Sequence, residues 1–265
     1  MEEIYRYPCL KQLSILMALD IAGPVAEAAA FLVRAVAASD TQADSSLQNA
    51  WFYTEWAVSG IRLLIWSLLL VTLSRLTGLR KSYGKAQVWF LLRILIVFPE
   101  VLTPALLVYR HSGADSLIQP PPSALLFTLL IIGGAVLLGE SLLIPLGDYA
   151  VLRAGAELME SFGQERMAKK NRQCGNWLLG TALAFLLLLS IAFLLFLWAL
   201  YTRGISLLNA DSIPNAESGP LPLPVHLYFA AVLLAFLLGP ASLLFRVLAA
   251  VRAGQTYRAI EELTK

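Results

Sequence analysis

The sequence predicts an all-α, polytopic membrane protein of about six transmembrane helices arranged as three hairpins. Three observations carry that expectation: a composition poor in charge, six long apolar segments, and a sorting of Lys and Arg between alternate loops. Apolar residues make up 58% of the chain and charged residues only 14%, with a mean hydropathy of +0.70. Soluble domains lie near a quarter charged, so the deviation points to a bilayer. The connectors are short, and a single integral membrane domain is expected over 1–265. A formal charge of +2 gives no reason to expect nucleic acid as a partner.

Crossing the hydrocarbon core takes about 20 largely apolar residues. Segments 51–75, 87–109, 123–149, 176–202 and 222–250 meet that requirement. Segment 12–36 is the weakest of the six, because Asp20, Glu27, Arg34 and Gly23-Pro24 interrupt it. It is read as a span, with a helix lying along the interface as the alternative. The start of the chain, Met1 to Cys9, has two acids and no basic cluster, unlike a cleaved signal peptide. Span one is therefore expected to be retained.

Orientation follows from the loops. With the first end in the cytoplasm, 14 of the 20 basic residues fall on the inner side, among them Arg75, Arg80, Lys81, Arg153 and Arg252. Outer connectors 37–50, 110–122 and 203–221 instead carry Asp40, Asp44, Asp115, Asp211 and Glu217 with many Ser, Asn, Pro and Gly. Both termini are expected in the cytoplasm, and the short loops with Leu/Ala-rich spans suit a bacterial inner membrane. Trp51, Trp56, Trp89, Trp177 and Trp198 sit near the expected interfaces, where amphipathic rings are favoured.

Spans three–four and five–six look like a duplication. At an offset of 100, Pro120 and Pro122 match Pro220 and Pro222, and Leu138-Gly139 matches Leu238-Gly239. One residue out of step, Arg153-Ala-Gly155 matches Arg252-Ala-Gly254.

Charges inside the spans are the most informative feature, since ionisable groups at membrane depth are costly and need partners. Asp20, Glu27 and Arg34 repeat every seven residues and share one helix face. Arg62, Arg93, Glu100 and Glu140 add to a polar seam through spans one to four, while Arg246 lies within span six and Asp148 near the inner end of span four. Depth along the helices pairs Arg62 with Glu27 or Glu100, and Arg93 with Asp20 or Glu140. Such a seam is an ion-pair network fixing helix register, a proton-coupled or small-solute path, or a set of charges awaiting another subunit.

The long inner connector, 150–175, is expected to extend span four, break near Gly163 and then present a basic patch of Arg166, Lys169, Lys170 and Arg172. This is a candidate docking element for a cytoplasmic partner, or a patch resting on anionic headgroups. The spacing of Glu157 and Gly163 resembles the ATPase-docking loop of six-span permease subunits of ABC importers. Leu158-Met159 stand where that loop has two small residues, and its later Leu-Pro is missing, so the chain is assigned to no family.

No enzymatic chemistry is expected. His111 and His226 are the only histidines and lie at outer-loop edges; H-E-x-x-H, G-x-S-x-G, C-x-x-C and phosphate-loop glycines are absent. Pro145-Leu-Gly-Asp148 lacks the preceding glycine and the second Tyr-Asp span of intramembrane aspartyl proteases. Cys9 and Cys174 are expected as reduced thiols, and no metal or cofactor is implied. The expected function is a non-enzymatic membrane subunit or scaffold, with a transporter or channel as the alternative. Its expected partners are the lipid bilayer and another membrane or cytoplasmic protein.

Overall fold

A computed structural model describes residues 7–38, 45–96, 123–203 and 223–263. Among these residues the fold is all-helical, with no strand. The helices are α1 (Tyr7–Ala38), α2 (Ser45–Thr77), α3 (83–96), α4 (Ser123–Ser161), α5 (Glu165–Arg203) and α6 (Leu223–Leu263). Among the described residues two segments, Ala57–Thr77 in α2 and Glu165–Trp198 in α5, are long and apolar enough to cross a membrane, with mean hydropathies of 1.8 and 2.7. Each of the other predicted spans includes residues outside the described side chains.

Helices α4, α5 and α6 run about three turns past their predicted spans at the end that carries the basic connector. Pro145 and Pro240 interrupt neither α4 nor α6. The break between α4 and α5 falls at Gly163, whose φ of +72° is the left-handed conformation that only glycine adopts without strain. There Gly163 N–H donates to the Glu160 carbonyl (2.9 Å) and Gln164 N–H to the Met159 carbonyl (2.9 Å). These are the two bonds of a Schellman cap, which satisfies the last carbonyls of α4 and reverses the chain.

The chain divides into two compact units. The first combines 1–114, 143–179 and 243–265, and the second 115–142 and 180–242. In the first unit each helix contributes one stripe at helical spacing. Leu10, Leu13 and Met17 come from α1; Leu69, Leu73 and Leu76 from α2; Tyr83, Ala86 and Phe90 from α3. Leu152, Ala156 and Met159 of α4, Leu178 of α5, and Ala249, Ala253 and Ile260 of α6 complete this core. The matched Arg-Ala-Gly triplets put a glycine at each helix contact: Gly155 backs onto Asn171 and Thr256, and Gly254 onto Ser14.

The outward faces are apolar too. On α2, Ile61, Leu64, Leu68 and Val71 are exposed, and on α3 so are Val88, Leu91 and Leu95. Helices α5 and α6 expose Leu187, Leu194, Leu244 and Val251. Helices apolar all round are fit for hydrocarbon on one side and a packed interior on the other.

Candidate functional site

Four charged residues of the first unit are inside it. Asp20, Arg93, Asp148 and Arg246 are all buried, each near the deep end of the apolar stripe on its own helix. Asp20 continues the spacing 10, 13, 17 on α1, and Arg93 continues 83, 86, 90 on α3. Arg246 and Asp148 open the corresponding stripes of α6 and α4. The same helical spacing that builds the core therefore delivers one polar group per helix to a common level.

Asp20 is the hub. Its Oδ2 accepts from Arg93 Nη1 (2.9 Å) and Arg246 Nη2 (2.6 Å). Its Oδ1 accepts from Arg93 Nη2 (3.0 Å) and from the indole Nε1 of Trp66 (2.6 Å). The Arg93 contact is a two-pronged guanidinium–carboxylate pair, the strongest geometry available to these groups. Arg246 turns its Nε to Asp148 Oδ2 (2.9 Å), so one guanidinium bridges two carboxylates on different helices. Two acids and two arginines cancel to a formal charge of zero, which makes their burial tolerable.

Trp66 of α2 completes the layer. The Arg93 guanidinium carbon lies 4.0 Å from its ring centre and that of Arg62 lies 5.0 Å away. A desolvated cation on an indole face gains about 2 kcal/mol. Arg62 lies along α1, its Cγ 3.4 Å from where a methyl on Gly23 would stand. The layer thus joins α1, α2, α3, α4 and α6.

Of the seam residues expected from the sequence, the structure brings together Asp20 and Arg93, with Arg62 alongside on Trp66. Glu100 and the side chains of Glu27 and Glu140 lie outside the described residues. Sequence reasoning left Trp66, Asp148 and Arg246 out of the seam. A signal existed for each: Trp66 is the tryptophan furthest from any expected interface, and Arg246 had no assigned partner within its span. A buried indole N–H needs an acceptor, and a buried guanidinium needs an anion.

A second polar contact sits nearer the basic connector. Asn171 Nδ2 of α5 donates to Thr256 Oγ1 of α6 (3.0 Å), beside a cavity of about 10 Å³, room for one water. Glu157, read from the sequence as part of a docking loop, is half-buried on α4 and accepts a hydrogen bond from Ser82 Oγ. Gly163 forms the cap, and Arg172 Nη2 bridges to Glu160 Oε2 across the turn (2.7 Å). Arg166, Lys169 and Lys170 are exposed on the first turns of α5.

Burial pushes the phenol of Tyr83 up from its ordinary value, and the nearby Glu157 carboxylate adds to the shift. Cys9 and Cys174 are both buried, free thiols. Among the described residues no group of His, Cys, Asp and Glu is placed to hold a metal ion.

No protein-family model, no curated protein and no solved structure matches the chain. The chemistry of the buried layer therefore carries the functional argument.

Proposed function

We propose that this chain is a six-span membrane protein, its termini in the cytoplasm, that works as a non-enzymatic subunit or scaffold. The single observation that carries the reading is the saturation of Asp20. Four N–H donors from Arg93, Arg246 and Trp66 occupy its two oxygens. A carboxylate so bound, inside a cluster of zero formal charge, is built to hold helices in register. A proton carrier needs a group that gains and loses its proton, and an acid held by two guanidinium groups resists that.

Further support comes from the inversion of polarity. Within the apolar helices the four charged side chains Asp20, Arg93, Asp148 and Arg246 are buried while Leu, Ile and Val are exposed, the arrangement a bilayer favours and water does not. Neither the 10 Å³ cavity nor the 530 Å³ groove of this unit is lined by Asp20, Arg93, Asp148 or Arg246. The exposed cations Arg166, Lys169 and Lys170 form the surface offered to a cytoplasmic partner or to anionic headgroups.

The test is to extract the protein gently from its own membrane and identify what co-purifies at fixed stoichiometry. A membrane or cytoplasmic protein that is lost when Arg166, Lys169 and Lys170 are replaced by Glu supports the subunit reading. Solute or proton flux in proteoliposomes, abolished by Asp20→Asn without loss of stability, would overturn it in favour of a transporter.

A further inference from the structure

Helices α1 and α6 leave between them a lateral groove of about 530 Å³. Ser14, Ile15, Ala18 and Ile21 line it from α1. From α6 come Val247, Ala250, Val251, Gly254, Gln255 and Arg258. Its volume lies in the range of sites that hold a small organic ligand. We propose that it holds an anionic phospholipid of the inner leaflet. This rests on the membrane reading above and adds to it a ligand of stated chemistry.

The groove has a direction. Gly254 backs onto Ser14, where an added methyl would lie 3.6 Å from the Ser14 oxygen, so these two residues stand at one level. One turn beyond that level, α6 places Arg258 and α1 places Lys11, both exposed. On the other side of it lie Ala18, Ile21, Val247 and Val251, with no polar group. The Gln255 side-chain oxygen accepts from Arg252 Nη1 (2.8 Å), which leaves its NH2 as a donor at the polar end.

Among the described residues no acid lines the groove, and Glu261 and Glu262 follow Arg258 by about a turn, further out. Ser14 Oγ donates to the Lys11 carbonyl (2.9 Å), so the donor left at this level is the Gln255 NH2. The order of apolar floor, amide donor, then cations matches an acyl chain, its ester region and a phosphate. A second transmembrane helix fits less well, because it would have to bring its own anion to the level of Lys11 and Arg258. Basic pockets between spans on the cytoplasmic side are a known form of lipid site.

The test uses the full chain in detergent, stripped of lipid and titrated with phosphatidylglycerol and phosphatidylcholine of identical chains under native mass spectrometry. One phosphatidylglycerol should be retained in preference to phosphatidylcholine. Removing Lys11 or Arg258 as Ala should cut that preference about fivefold for each cation. Gly254→Leu, which fills the groove without touching charge, should release both lipids. Equal retention of the two lipids, or a preference that survives Lys11→Ala with Arg258→Ala, would overturn the proposal. So would a covalent homodimer formed through Ala18→Cys or Val251→Cys, which would make the groove a contact between copies. Protein that stays in alkali-washed membranes yet shows no preference fails this proposal alone; protein released by alkali fails the membrane reading itself.

Discussion

Asp20 and Arg246 are 226 residues apart in the chain and meet at 2.6 Å in its interior. That contact joins α1 to α6, and through Arg246 it reaches Asp148 on α4. Removing one member of such a layer leaves the others charged and desolvated, which costs more than the pair itself contributes.

Asp20→Asn should therefore lower stability by about 3–5 kcal/mol. The measurement is unfolding in mixed micelles with increasing SDS. Arg246→Met in the same background should restore part of the loss, since the layer then keeps one cation and one acid in place of a surplus. Additive losses in the double variant would show that the two residues do not act on each other.

Gly147→Ala tests the packing beneath the layer. A methyl at Gly147 would stand 3.0 Å from Cε2 and 3.3 Å from Cζ of Phe90, a fully buried ring. The expected loss is about 1–3 kcal/mol by overpacking. Phe90→Leu, destabilising in the native chain, should cost less when Gly147 is Ala, as read by the same unfolding curve.

Gly163→Ala places a Cβ in the left-handed region at the cap between α4 and α5. A loss of about 1 kcal/mol is expected, and Gly163→Asn should lose less, because asparagine tolerates that conformation better. The open space around Gly163 isolates backbone strain as the cause. Equal effects of Ala and Asn would argue against it.

Tyr83 supplies a pH dependence outside the predicted spans. Its phenol is raised in the folded protein by burial and by Glu157, whereas in the unfolded chain it ionises near about 10. The folded state then holds the proton more tightly, so the contribution is intact below about pH 10 and is lost as pH rises beyond it. The slope above that point should reach about 1.4 kcal/mol per pH unit. Tyr83→Phe should flatten it, and a slope unchanged by that substitution would place the titration elsewhere.

The sequence by itself determined that the described residues are helical, that each of the six predicted spans coincides at least in part with a helix, and that α4 ends near Gly163. Those follow from local chemistry: apolar runs without strand alternation, and a glycine where a helix must reverse. It also placed Asp20 and Arg93 at comparable depth, because depth is arithmetic along a helix. The tertiary structure alone decided that the layer centres on Asp20, that Arg246 bridges two acids, and that Trp66 donates into it. Rotation of one helix against another is set by which side chains interlock over the whole core, and no spacing within a single helix contains that information. The six-span expectation rests on the apolar segments and the cytoplasmic termini on the charge pattern, since positive residues sort across a bilayer by interactions outside the folded chain.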